Sequence, residues 1–253
     1  MKHLWINFFI WINIVFSHEL PMLYEKNYEV SLSTYEIQLV DHAKMSVEKA
    51  LNFQSKLTGT RFGDDRRINI LPSDCPCDHL LNNLCSLPKA SHLHVGLLKG
   101  GSFIAALYGN QETLQEEIGI DWFQKYPQDA FYSNCLGYLH MDKCRIINSS
   151  CFNLDKSLFT VPIDIYFYDA DHSLLGQQNA FTYYDDVFSE VFIAVVDEWM
   201  CPWVRRPTFK AFEKLNYRIL YETYIPHNER YGHGQYIVCL LYTSPSPRDL
   251  STS

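Results

Sequence analysis

Two short runs, residues 162–172 (PIDIYFYDADH) and 191–199 (VFIAVVDEW), limit what this chain can fold into more than any other feature. Each is dense in β-branched and aromatic residues and ends on a cluster of acids, so each reads as a buried strand with a polar carboxyl end. In an open α/β sheet, ligands bind outside the carboxyl ends of the strands. Asp169, Asp171, His172, Asp197 and Glu198 are therefore expected to converge on one crevice. The plainer reading is that strand ends are exposed and helices favour an acidic N-cap. Two such ends, with a histidine added, favour a site.

The punctuation elsewhere extends this pattern. Strands are expected at 92–98, 116–121, 144–149, 163–168 and 191–196, separated by helices at 103–110, 126–139 and 174–187. A helix at 202–215 has proline near its first turn, and two strands, 217–225 and 235–240, follow with only a loop between them. Strand–helix alternation closing on a strand pair implies a doubly wound, mostly parallel sheet whose last strand is antiparallel. Ahead of it, residues 33–57 and 78–87 supply amphipathic helices that would cap the crevice.

The chain's 253 residues, 47% of them hydrophobic, can fill one core under a six- or seven-stranded sheet. A net charge of -8 argues against nucleic acid as a partner, since a phosphate backbone needs a positive field. Residues 1–17 have one early Lys, an apolar stretch interrupted by Asn7 and Asn13, and small residues at Val15 and Ser17. This is the grammar of a secretory leader, too short for a membrane span. Alternatively, residues 1–21 precede a true start nearer Met22 or Met45. Residues 242–253 (YTSPSPRDLSTS) carry no apolar period and resemble a translated sequencing adapter, so the native sequence is expected to end near residues 238–241. The expected division is thus 1–21 as leader or misassigned start, 22–78 as helical cap, 79–241 as sheet domain and 242–253 as tail.

The eight cysteines could form a disulfide set in a secreted chain. Cys144, Cys151 and Cys239 lie in or beside apolar strand-like runs, where a thiol behaves as a small hydrophobe, so reduced cysteines in a cytoplasmic protein are expected. Secretion or membrane anchoring would follow if residues 1–17 are a real leader. The group Cys75-Pro76-Cys77-Asp78-His79 has metal-capable residue types but lacks paired zinc spacing.

The segments HLHVGLLKGGSF, INSSCFNLD, IYFYDADHS, AFTYYDDVFSEVFIAVVDEW and VRRPTFKAFEKLNYRILYE, with Asp121 closing the second strand, resemble a class I S-adenosylmethionine-dependent methyltransferase. The nearest group is the bacterial branch related to macrolide-sugar O-methyltransferases. The resemblance spans residues 79–240 and implies a Rossmann-like sheet of seven strands, the last antiparallel. It places the methyl donor across the ends of the first, second and fourth strands.

On that resemblance Gly96, Gly100 and Gly101 let the backbone approach the donor. Asp121 accepts hydrogen bonds from both ribose hydroxyls, helix capping being its plainer role. Ser150 and Cys151 would meet the adenine, with Ser150 standing where the group often has an acid. His94 replaces the usual acid near the donor's amine, and Asp169 borders the donor. Related sugar methyltransferases hold a divalent ion, so Asp169, Asp197 and Glu198 would bind Mg²⁺. His172 would be general base with Asp171 as its orienting partner, or else His172 merely caps a helix. Trp199, Trp203 and Arg205 would line a pocket for a small hydroxylated, sugar-like acceptor, or be core tryptophans beside a surface arginine. A donor-binding module without turnover, favoured by His94 and Ser150, and a secreted protein with paired cysteines both stay open.

Overall fold

Seven apolar runs pair into a single sheet in the computed structural model, which describes residues 32–58, 75–226 and 234–242. The strands are β1 (Ser91–Val95), β2 (Glu116–Asp121), β3 (Arg145–Asn148), β4 (Ile163–Tyr168), β5 (Phe188–Val196), β6 (Tyr217–Ile225) and β7 (Gln235–Tyr242), in the order β3-β2-β1-β4-β5-β7-β6. The pairs from β3 through β5 are parallel, and β7 lies antiparallel between β5 and β6. The chain winds outward from β1 to β3 and then returns to place β4 on the other side of β1. That reversal places the switch point, where open α/β sheets bind ligands, at the carboxyl ends of β1 and β4.

Helices cover both faces. Leu93, Val95, Tyr166, Tyr168, Phe192, Ala194 and Val196 join one core with residues of α5 (Leu174–Thr182) and α6 (Pro202–Lys214). The alternate residues, including His92, His94, Ile165, Phe167, Ile193 and Val195, are also buried, on the opposite face by the two-residue period of a strand. There α1 (Thr34–Leu51) packs against β5, β6 and β7. Helix α2 (Pro76–Leu84) packs against α1 and α3 (Gly101–Leu107), and α4 (Gln128–Cys135) follows β2. Leu39, Val40, Ala43, Val47 and Ala50 form the buried stripe of α1 at helical spacing. Aromatic contacts dominate the α5–α6 side: Phe188 stacks on Phe192 at 4.2 Å, and Phe181 meets Phe212 edge-on at 4.8 Å. Truncating one such ring costs about 3–5 kcal/mol.

The buried carboxylate of Asp164 ties the opposite ends of the strands. It accepts from the Ser91 N–H at 3.0 Å and from Ser189 Oγ at 2.7 Å, and it hydrogen-bonds the Tyr35 hydroxyl of α1. β1 stops at Val95 instead of 98 because Gly96 turns the chain at φ +96°. β7 runs on to Tyr242, past the expected end at residue 240, and Tyr242 pairs with Tyr217 and packs its ring 5.8 Å from it. Residues 1–21, expected as a leader or a misassigned start, and residues 243–253 lie outside the described residues. Among the described residues no helix is long and apolar enough to cross a membrane.

Candidate functional site

The turn after β1 is built by its own chain. A Cβ at Gly96 would stand 1.9 Å from the Asp169 carbonyl oxygen, so the missing side chain lets the ends of β1 and β4 touch. Gly100, at φ +92°, closes against Cys135 and Phe131 in the same way, and Gly101 opens α3. Between them Leu98 is held at φ +48°. Asp121 explains that strained shape: its Oδ2 accepts from the Leu97 and Leu98 N–H groups at 2.8 and 2.9 Å, and its Oδ1 from Phe123 N–H at 2.6 Å. A carboxylate offers about four acceptor positions. With three used for backbone N–H groups, one position is left, where the sequence reading expected two ribose hydroxyls.

His94 does not reach this turn. It is fully buried, its Nε2 bonds Ser102 Oγ at 3.0 Å, and its ring packs 4.4 Å from Phe167. Burial, then the neighbouring His92, hold its pKa well below the usual imidazole range, so it is a neutral core residue and offers no charge to a donor amine. Cys151 follows β3 within electrostatic reach of Asp121 and Asp171, its thiol raised to about 11 chiefly by burial. Its carbonyl accepts from the Tyr184 hydroxyl, and the Ser150 carbonyl accepts from Asn153 N–H. Trp122, which the sequence reading did not single out, follows Asp121 directly and is 57% exposed at the end of β2. Its place beside the strand-end acid was the available signal.

At the ends of β4 and β5 the partner of His172 is Asp169. Nε2 meets Asp169 Oδ1 at 3.1 Å, while Nδ1 is buried without a hydrogen-bond partner. A carboxylate only accepts, so Nε2 carries a proton, and in the neutral ring the buried Nδ1 carries the lone pair. Burial pulls the His172 pKa down, but the Asp169 hydrogen bond and the charges of Asp169, Glu198 and Asp197 outweigh it, and the net shift is upward. Asp171, expected to orient the ring, is used elsewhere: its Oδ1 accepts from Ser173 N–H at 2.9 Å, and its carboxyl lies over Gly176, where any Cβ would collide. Tyr168 Oη fixes that bend by donating to the Asp171 carbonyl at 3.0 Å and accepting its N–H at 3.1 Å.

Asp197 is half-buried, bonded by the Gln235 amide and the Glu198 N–H, and raised to about 8 by burial and then by Asp169. Glu198 sits at φ +54°. Among the described residues no three acidic, histidine or cysteine side chains are grouped to hold a metal ion, at Asp169, Asp197 and Glu198 or at Cys75 to His79. The Mg²⁺ expectation finds no support here: Asp169 bonds His172, and Asp197 takes the Gln235 amide and the Glu198 N–H. All eight cysteines are free thiols. The first turn of α2 comes into electrostatic range of Asp197, and Asp78 is raised well above the carboxylate range by burial, then by Cys75 and Asp197. The Cys75 thiol is lowered to about 7 by its hydrogen bond with Cys77.

Trp199 is a core residue, stacked 3.8 Å from Tyr236 with the ring planes 8° apart, and is no part of an acceptor pocket. Trp203 is exposed on the first turn of α6, and Arg205 is half-exposed with its charge acting on the Cys201 thiol.

No protein-family model matches the chain, and no curated protein matches it either. Solved structures do. An O-methyltransferase from Bacillus cereus, solved in complex with SAH, is 12% identical, with a TM-score of 0.50 over 84% of this chain and 93% of that one. A candidate SAM-dependent methyltransferase from Streptococcus mutans is 14% identical at TM-score 0.50, covering 68% of this chain but only 50% of its own length. A candidate rRNA methylase from Clostridium thermocellum is 11% identical at 0.50, over 65% and 93%. At these identities the likeness is one of fold: the seven-stranded methyltransferase-like Rossmann sheet.

Proposed function

We propose that this chain is an S-adenosylmethionine-dependent methyltransferase that methylates the hydroxyl of a small acceptor, with His172 as general base and Asp169 orienting it. The observation that carries the reading is the His172–Asp169 pair, Nε2 at 3.1 Å from Oδ1, built on the residue whose carbonyl packs against Gly96. Asp169 thereby links the donor-side turn to the base. The fold shared with an SAH-bound O-methyltransferase supports the donor, and the sequence resemblance supports a hydroxylated, sugar-like acceptor. The net charge of -8 favours a small molecule over nucleic acid.

The donor fits what the chain offers. Asp121 has one acceptor position left for a ribose hydroxyl, Trp122 offers a flat face for adenine, and the turn from Gly96 to Gly100 is already rigid. When bound, the donor supplies a methyl group on a sulfonium, open to in-line displacement. His172 then takes the acceptor proton, its ring held in place by the hydrogen bond with Asp169, and alignment supplies most of the rate. No metal enters this scheme. Methyl transfer from isotopically labelled donor to a panel of alcohols tests it: transfer lost in His172→Gln with SAH binding retained is expected, and undiminished transfer in that variant contradicts the base assignment.

A further inference from the structure

We infer that His94, with His92 beside it, is a positioning residue that makes the donor-side turn acid-sensitive: neutral rings hold α3 against β1, and proton uptake releases α3 together with the Gly96–Gly100 turn that leads into it. The two imidazoles stand at alternate positions of β1 and so share one face of the sheet. Both are fully buried, with ring centroids 5.5 Å apart and planes at 87°. Beside His94, β2 places Gly119 and β4 places Phe167. From α3 come the Ser102 hydroxyl, 3.0 Å from Nε2, and the Phe103 ring, edge-on at 5.5 Å. Helix α3 has seven residues, too few to stay helical without packing. Its N-cap is Gly100, so whatever holds Ser102 and Phe103 also fixes the end of the turn.

A neutral imidazole carries one N–H and a protonated one carries two. Charging both rings would therefore present four N–H donors to a site where, among the described residues, the hydrogen-bond partner is Ser102 Oγ. Both nitrogens of His92 and Nδ1 of His94 are buried without one. Two like charges this close would also repel. The neighbouring elements offer little relief. Glu117 of β2 is registered beside His92, but its carboxylate is bonded by Gln111 Nε2 at 3.0 Å and Cys144 Sγ at 3.2 Å, and burial raises its pKa, so acid neutralises it as well. The Cys85 thiol at the end of α2 is raised well above its usual range by burial, then by Glu117, and stays neutral. Asp164 of β4 is bonded to Ser91 N–H and to Ser189. His79 of α2 and His42 of α1 are turned to Ser55 and to the Leu84 carbonyl.

Burial holds His92 down to about 3, and burial, then His92, hold His94 well below the imidazole range. Unfolded rings take up a proton near pH 6.5 and folded ones do not. Stability is thus fully present above about pH 6.5 and is lost as pH falls toward the folded pKa, by about tenfold in the folding constant per pH unit for each ring.

The test uses the full chain without ligand. Urea unfolding from pH 8 to pH 5 is compared with that of His92→Gln and His94→Gln, which keep a polar side chain and do not titrate. Below pH 6 the wild-type folding constant is expected to fall about tenfold per pH unit more steeply than that of either variant, the carboxylate contributions being common to all three. Parallel curves overturn the inference. Should neither variant fold, the wild type decides by NMR of its imidazole carbons: His92 and His94 are expected to stay neutral in the folded chain at pH 5.5, and a charged ring inside an intact fold overturns the inference. Native-state hydrogen exchange at pH 5.5 reads the release itself. Amides of Ile104 to Leu107 in α3 are expected to be at least about tenfold less protected than those of Ile237 to Leu240 in β7. Equal protection means that α3 leaves only with the whole fold, and overturns the inference. SAH enters none of these measurements, so failure to bind it removes the methyl-transfer reading and leaves the acid-sensitive pair standing.

Discussion

The donor-side turn after β1 and β2 and the acceptor-side edge after β4 and β5 are made of similar residues put to opposite uses. On the donor side Asp121 spends three of its acceptor positions on Leu97, Leu98 and Phe123, and Gly96 gives up its side chain to the Asp169 carbonyl. On the acceptor side His172 keeps an unpartnered ring nitrogen, Asp197 is pushed far from its ordinary pKa, and apolar side chains stand in solvent. One region is satisfied before any ligand arrives, which is preorganisation. The other holds strained titrations around His172, and on the proposed reading it is where chemistry on a substrate occurs.

Breaking the donor side should have the larger effect on the fold. Gly96→Ala puts a Cβ into the Asp169 carbonyl at φ +96°, and a loss of at least ~3 kcal/mol in chemical denaturation is expected. A wild-type unfolding midpoint would mean the turn is soft and the contrast false. Breaking the acceptor side should spare the fold and remove the chemistry. His172→Gln is expected to lower single-turnover methyl transfer by about 10²- to 10⁴-fold with SAH affinity within twofold.

The acidic cluster sharpens the contrast through pH. Catalysis that needs neutral His172 should rise with pH through a pKa above the ordinary imidazole value. Asp169→Asn should move that limb to lower pH, since burial then acts without the opposing carboxylate. A limb that does not move would free His172 from Asp169. Asp197 has its folded pKa raised to about 8, so it favours the protonated state on folding. Its contribution is fully present below about pH 4 and is lost as pH rises through about 8. Asn mimics the protonated form. Asp197→Asn should therefore be more stable than wild type by ~1–3 kcal/mol at pH 9, the figure discounted for partial exposure, and little different at pH 4. Smallest of all, truncation after Tyr242 should leave thermal unfolding within about 0.5 kcal/mol of the full chain. A larger drop would give residues 243–253 a part in the fold.

The strands were legible because apolar runs stand between glycine, proline and acids, and β2, β4 and β6 begin and end where the sequence places them. β5 begins three residues before the expected strand, at Phe188. Ser189 and Glu190 hide it by polarity, and only the Phe188–Phe192 stack and the pairing with Ile163 reveal it. The site was legible as a set of residues more than as a set of roles. The run Asp169-Ala170-Asp171-His172 offers two carboxylates within three residues of one imidazole, and spacing alone cannot choose between them. The choice is made by Tyr168 and Ser173 taking Asp171 away. Trp199 reads as a pocket residue until Tyr236, from a distant strand, is laid flat against it. His94 reads as a ligand until α3 brings Ser102 over its ring.

Calorimetric titration of SAH into the full chain, alongside Asp121→Ala, tests the central claim most directly. The account predicts saturable one-to-one binding by the wild type, weakened in the variant by ~1.5–3 kcal/mol, or roughly 10- to 150-fold. No binding by the wild type, or equal affinity in the variant, would contradict it.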